Sequence, residues 1–202
     1  MEKSKKNRKL ILGLVLILLV LICGSVILYF FGDVYSSSTV RDFIKKNSFL
    51  LNLSKNLSCY GNKVYHFSFF CVLIFGIIRK KKKIIKLVLI YISVQIIASG
   101  LLTEGLKMIV GRPRPGYGFE HEYFTDKISH KSFPSGHASD AMCSAGVLWS
   151  FLNSNYLGGI FFIYSMLIAL SRVAVGAHYF LDIFIGSAIG FVAGILISYK
   201  WM

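Results

Sequence analysis

Acid is scarce in this chain. Only nine Asp and Glu stand against 23 Lys and Arg in 202 residues, a formal charge of +14. In a soluble protein that balance would suggest nucleic acid. Charge of either sign is also sparse, however, at 16% of residues against 55% hydrophobic, with a mean hydropathy of +0.64. An ordinary soluble domain is excluded, and membrane orientation with attraction to anionic lipid accounts for the basic excess. Membrane lipids are therefore expected as surroundings, and no nucleic-acid partner. Cysteine is equally uninformative. Cys23, Cys71 and Cys143 lie inside apolar runs and Cys59 lies near a run's end, so neither a disulfide framework nor a zinc pattern follows. Proline occurs three times, as Pro113, Pro115 and Pro134, all within one polar stretch whose backbone is thereby shaped. There is no internal repeat, and no low-complexity tract beyond one lysine run.

What is plentiful is apolar sequence. Runs cover about Leu10 to Phe31, Cys59 to Ile78, Ile84 to Leu106, Ala138 to Leu152, Leu157 to Val175 and Phe180 to Tyr199. At roughly 20 residues per helical span, six such helices leave short loops and no room for a second domain. The expectation is an all-α, polytopic membrane protein, a six-transmembrane-helix bundle forming one domain over residues 1–202. The first run is too long for a signal-peptide core and no small-residue cleavage site closes it. Ile22 before Cys23 also disfavours a lipoprotein site, so the run reads as an uncleaved span.

Two basic clusters set the orientation: Lys3, Lys5, Lys6, Arg8 and Lys9 at the N-terminus, and Arg79 to Lys83 with Lys86 between the second and third runs. Placing both in the cytoplasm puts both termini inside and turns segments 33–58, 107–136 and 173–178 outward. Between the first two spans, Val40 to Leu57 wound at 100° per residue carries Phe43, Leu50, Leu53 and Leu57 on one face. Arg41, Lys45, Ser48, Asn52 and Lys55 fall opposite, the pattern of an interfacial helix on the outer leaflet or of an amphipathic loop.

The outward segments hold the chemistry. Lys107, Arg112 and Arg114 could simply attract anionic headgroups. Further on, Phe133-Pro134-Ser135-Gly136-His137 runs directly into an apolar helix, so the backbone N–H groups around Ser135 to His137 open towards an anion. A third cluster is Ser171, Arg172, His178 and Asp182. His178 and Asp182 are four apart and share a helical face, so the carboxylate could hold one ring nitrogen. Alone, that cluster would read as a buried histidine with a hydrogen-bond partner. Ionisable groups at membrane depth are usually functional, though, and the topology gathers all three clusters at one face. Lys107, Arg112, Arg114 and Arg172 around two histidines and one carboxylate would repel a divalent cation and hold a phosphoryl group, so no metal is expected.

These residues resemble a known family. Lys107-x6-Arg114-Pro115, Pro134-Ser135-Gly136-His137 and Ser171-Arg172-x5-His178-x3-Asp182 are similar to the three signature motifs of the type 2 phosphatidic acid phosphatases, in the same order and with every fixed position filled. The resemblance implies a metal-independent, cofactor-free membrane phosphatase acting on a lipid phosphate. It implies His178 as nucleophile forming a phosphohistidine, Asp182 as its orienting partner, and His137 as the acid and then the base. Lys107, Arg114, Arg172 and the Ser135 and Gly136 groups would hold the phosphoryl oxygens. Expected substrates are envelope lipids: lipid A, undecaprenyl diphosphate, phosphatidylglycerol phosphate or phosphatidic acid. The expected location is a bacterial inner membrane with the site facing the periplasm or exterior. Lipid-to-lipid phosphotransfer is a competing expectation, as is a non-catalytic transporter or scaffold that uses the cations only to bind; an acid, a base and a nucleophile weigh against the latter.

Weaker expectations concern the other polar residues. Glu104 is placed to pair with Lys107, and Asp140 either holds His137 or caps a helix start. His66 reads as a packing residue. Glu120, His121, Glu122, Asp126 and His130 read as solvated loop residues, with a headgroup-sensing lid as the alternative.

Overall fold

The computed structural model describes residues 2–152 and 154–201; the side chains of Glu2, Lys3 and Lys5 lie outside that description, and with them part of the N-terminal basic cluster. Among the described residues the secondary structure is entirely helical. Eight α-helices follow in order: α1 (Glu2–Phe31), α2 (Asp33–Lys45), α3 (Ser48–Ile78), α4 (Lys82–Val94), α5 (Thr103–Val110), α6 (Gly136–Phe151), α7 (Asn155–Ala174) and α8 (Phe180–Trp201). A π-helical stretch, Gln95–Leu102, joins α4 to α5 without a break, so Lys82–Val110 is one continuous rod.

Five helical rods are long and apolar enough to cross a membrane: Lys6–Phe31, Ser48–Ile78, Lys82–Val110, Asn155–Ala174 and Phe180–Trp201. The sixth expected span, α6, has 16 residues and falls short of that length. Its sequence explains its place. Ala138, Ser139, Ala141, Ser144, Ala145 and Gly146 are small, and all are buried, so α6 is enclosed by protein rather than lipid.

The α6–α8 contact is the tightest in the bundle. Gly186, Gly190 and Gly194 repeat every four residues on α8, and a Cβ on each would stand 2.4, 2.1 and 2.8 Å from the carbonyl oxygens of Ser135, Ser139 and Cys143. Backbones approach this closely only where side chains are absent, as in small-residue membrane packing. Larger residues fill the space on either side of this seam. Ile17, Met142, Trp149, Phe162, Phe191 and Ile195 form one cluster, while Tyr65, Phe69, Val88, Tyr91, Val147 and Ile168 belong to another. The outer faces of the rods expose Ile11, Leu18, Phe67, Phe70, Ile97, Leu101, Ile163 and Leu196, a belt suited to lipid.

The two ends of the bundle are told apart by the residues that meet there. At one end Trp149 Nε1 donates to the Lys9 carbonyl at 2.9 Å, Lys9 Nζ donates to the Leu152 carbonyl, and Tyr199 Oη donates to Asn7 at 2.6 Å. Lys6 lies 4.6 Å from the Tyr199 ring centroid and Lys83 lies 5.9 Å from that of Phe151. Both basic clusters therefore meet the C-terminal end of α6, and the first also meets the last turn of α8. The starts of α6 and α8 and the ends of α5 and α7 lie at the other.

One expectation needs correcting. Val40 to Leu57 is not a single helix: α2 stops at Lys45, and Asn47 caps α3 by accepting from the N–H groups of Phe49 and Leu50. The cap side chain offers the backbone a better partner than continued winding, so the apparent amphipathic stripe joins two helices.

Candidate active site

The charged residues of the site converge because four helix ends meet. α5 terminates at Gly111, in the left-handed conformation with φ 54°, where its N–H reaches the Lys107 carbonyl at 3.1 Å. A side chain there would collide with the Glu122 carbonyl at 1.7 Å, so glycine is required. This leaves Lys107 in the last turn, with its ammonium 2.9 Å from where a Cβ on Gly136 would stand. Lys107 pairs with Glu104, as the spacing of the two predicts.

From Gly111 the chain crosses to α6 through residues 112–135, pinned at Arg114 N–H to the Ser129 carbonyl (2.8 Å) and Ser132 N–H to the Arg112 carbonyl (3.0 Å). Ser135 then caps α6 through its hydroxyl, which accepts from the Ala138 N–H, while its own N–H donates to the Asp182 carbonyl at 2.9 Å. That last bond ties the start of α6 to the start of α8. Gly136 and His137 begin α6 and keep the outward N–H groups of a helix start, whose positive end favours anions. Ser135 offers only its hydroxyl, since its N–H is already paired.

His178 opens the approach to α8 and is buried, 2% exposed. Here the sequence reading is corrected. Nδ1 donates to the Ser132 carbonyl at 2.8 Å, and the Asp182 carboxylate lies at 3.6 Å, beyond a hydrogen bond. The backbone carbonyl sets the tautomer and leaves the Nε2 lone pair outward. Asp182 is fully buried and its oxygens are claimed elsewhere: by Arg112 Nη1 (2.7 Å), the Ser132 hydroxyl (2.6 Å) and the Tyr179 N–H (2.9 Å). Burial holds the His178 imidazolium below its ordinary range, helped by Arg172 and Arg114 and opposed by Asp182. The imidazole is thus neutral near pH 7.

Arg112 belongs to a different structure from its neighbours. Its two Nη atoms bridge Asp182 and Asp33 at 2.7 Å each, and its Cζ lies 4.5 Å from the Tyr179 ring centroid. It is an internal strut. Arg114 and Arg172 retain capacity: Arg172 donates one Nη to Ser58 and Arg114 donates one to the Lys131 carbonyl, yet the Nε of each is buried without a partner. His137 is exposed at the start of α6, within the fields of Arg172, His178, Lys107 and Arg114. The eight expected residues therefore share one locality.

Asp140 does not hold His137. It pairs with His66 at 3.1 Å, and His66, itself exposed, in turn meets Tyr91 at 2.5 Å, so that trio links α3, α4 and α6. Sequence reasoning also missed Asp33, Ser58 and Ser132. Ser132 acts largely through a carbonyl that every residue has, and Asp33 comes from a helix far away in sequence, so no local signal marked them.

With this geometry in view, comparison with known proteins is informative. Residues 87–202 match the model of the PAP2 superfamily, more than half of the chain and every motif described above. The chain belongs to the PAP2 superfamily. A lipid A 1-phosphatase of Rhizobium etli is 34% identical over 105 residues, 50% of this chain and 44% of that protein. A PA-phosphatase related-family protein of Dictyostelium discoideum is 32% identical over 116 residues, 49% of this chain and 43% of that one. The matches thus span less than half the length of these curated relatives. The crystal structure of Aquifex aeolicus LpxE superposes with a TM-score of 0.62 at 27% identity, covering 82% of this chain and 93% of that one. The structural likeness accordingly extends beyond the family match into the helices that precede residue 87.

Proposed function

We propose that the chain is a metal-independent phosphatase of an envelope lipid phosphate, acting through a phosphohistidine on His178. One observation carries the reading: a neutral, buried imidazole fixed by the Ser132 carbonyl leaves Nε2 outward, beside two arginines with unpartnered donors. Such a group needs an electrophile, and the cations select an anionic one.

The Nε2 lone pair attacks phosphorus, the P–O bond to the lipid breaks, and His137 gives its proton to the departing oxygen. Arg114, Arg172, Lys107 and the N–H groups starting α6 hold the equatorial oxygens as charge redistributes. Asp182, 3.6 Å from Nδ1, stabilises the positive ring of the phosphohistidine. In the second step water attacks phosphorus, His137 takes a proton from it, the P–N bond breaks and inorganic phosphate leaves. Asp182 is unsuited to metal ligation because N–H and O–H donors already occupy its oxygens.

Among substrates, a phosphorylated lipid A species is the first choice, supported by the named activity of the Rhizobium relative. Undecaprenyl diphosphate, phosphatidylglycerol phosphate and phosphatidic acid form the rest of the test set. We place the protein in a bacterial inner membrane with six passes, counting α6. The end that holds the N-terminal cluster and the Arg79 to Lys83 run would lie in the cytoplasm and the site would face the periplasm or exterior, which the two clusters support. The decisive experiment assays purified protein against this panel in excess EDTA. Phosphate release from at least one lipid, undiminished by chelation and blocked by vanadate, is expected; activity that vanishes in EDTA and returns with magnesium would refute the mechanism.

A further inference from the structure

α2 places one polar residue on each turn of its inner face: Asp33, Ser37 and Arg41, spaced four apart. The first two dock the helix onto the His178 segment. Asp33 accepts from Arg112 and from the Leu181 N–H (3.1 Å), and the Ser37 hydroxyl accepts from the Phe180 N–H at 3.0 Å. Arg41 has no such employment. Its Nε is buried without a hydrogen-bond partner, and its Cδ and Nη1 lie 3.2 and 3.4 Å from where a Cβ on Gly176 would stand, held open by the absence of a side chain there.

Arg41 instead lines a cavity of about 300 Å³ together with Ser37, Ser38, Gly116, Phe119 and His178. No carboxylate lines this cavity among the described residues, and the nearest acid on α2's inner face, Asp33, is neutralised by Arg112. A guanidinium in a partly enclosed space without a counter-charge favours an anionic guest. Arg41 comes from α2, whereas Arg114 stands on the crossing from α5 to α6 and Arg172 in the last turn of α7, so it is a separate cation from those assigned to the transferred group.

We propose that Arg41 forms a second anion subsite, which selects lipid phosphates carrying another phosphate beside the one transferred. The proposal rests on the phosphatase reading above for the position of the first phosphoryl group. The second phosphate has two chemical sources, the inner phosphate of a diphosphate or a separate phosphate on the same headgroup. Either would bring a further phosphate anion to the Arg41 guanidinium.

The test begins with binding, independent of turnover. Purified protein should bind inorganic pyrophosphate at least roughly tenfold more tightly than orthophosphate, the order of one charge-assisted hydrogen bond. Arg41→Gln and Arg41→Ala should remove that preference and leave orthophosphate binding within about twofold. An absent preference in the unsubstituted protein overturns the subsite whether or not the variants fold, and so does equal weakening of both ligands. Turnover then identifies the source. In Arg41→Gln, KM should rise roughly tenfold for a diacylglycerol diphosphate or for a bisphosphorylated glucosamine disaccharide lipid, with kcat retained, and stay within twofold for phosphatidic acid. A rise confined to the diphosphate names the first source, and a rise confined to the disaccharide lipid names the second. No rise for either overturns the proposal. Retained pyrophosphate preference with no release from any lipid would refute the phosphatase reading alone.

Discussion

Orientation and charge are assigned to different groups around His178. Where a carboxylate does both, its amide replacement also loses the correct tautomer, and the loss reaches about 10⁴-fold. Here the Ser132 carbonyl keeps Nδ1 protonated whatever stands at position 182. Asp182→Asn should therefore cost only about 10²-fold in kcat, the scale of one electrostatic contact in a preorganised site, with KM little changed. A loss near 10⁴-fold would mean that Asp182, not Ser132, sets the tautomer. The pH profile supplies an independent check. Burial with Arg172 and Arg114 lowers the His178 pKa while Asp182 raises it. The acid limb of kcat/KM thus falls below the ordinary imidazole value of about 6.5. Removing the charge of Asp182 takes away the opposing influence, so the limb in Asp182→Asn should move further towards acid; movement towards neutral pH would contradict the assignment. His137 carries the complementary expectation. With an activated leaving group that needs no proton, His137→Ala should accumulate an acid-labile, alkali-stable phosphoenzyme, and His178→Ala should accumulate none, as read by radiolabel on the protein.

At the scale of the element, legibility in the sequence depended on what surrounds a helix. The three motifs stood out because Lys107, Arg114, His137, Arg172, His178 and Asp182 interrupt apolar sequence, where an ionisable group is costly. α2 was misread because a polar stripe looks the same whether it meets water or another polar surface; Arg41, assigned to the solvent side, lines the cavity beside His178. α6 was read as one of six spans, and hydropathy does not distinguish a helix facing lipid from one enclosed by neighbouring helices. The glycine spacing of α8 was visible, but its partners, the carbonyls of Ser135, Ser139 and Cys143, were not. This seam also aligns the site, since Gly186 lets α8 reach Ser135. Gly190→Ala should therefore destabilise the protein by about 1–3 kcal/mol or more, because the added methyl meets backbone that cannot step aside. Gly159→Ala on α7, where nothing stands within 4 Å, is the control. It should be neutral or stabilising by up to about 1 kcal/mol through helix propensity. Thermal unfolding in detergent would compare them, and equal melting temperatures would refute the seam's role.

For the whole molecule, the exposed basic run and the chemistry lie at opposite ends, which makes orientation testable as one question. Lys6, Lys9 and Lys83 gather where α1, α6 and α8 meet, while Lys107, Arg114, Arg172 and Arg41 gather at the other end. Both ends are basic, so net charge alone does not orient the bundle. The difference lies in surroundings. The cations of the site are partly or largely buried and oppose Asp33, Glu104 and Asp182, whereas Arg79 to Lys83 form an exposed run joining two spans. It is such exposed lysines and arginines in short loops that resist translocation. A cysteine at Lys81 should thus be shielded from an impermeant maleimide in intact cells, and one at Asp126, in the exposed stretch between α5 and α6, should be labelled. The native Cys23, Cys59, Cys71 and Cys143 are replaced beforehand. If both label from outside, the rod Lys82–Val110 between them does not cross the membrane. If Lys81 alone labels, the site faces the cytoplasm, and the lipid presented to His178 comes from the inner leaflet.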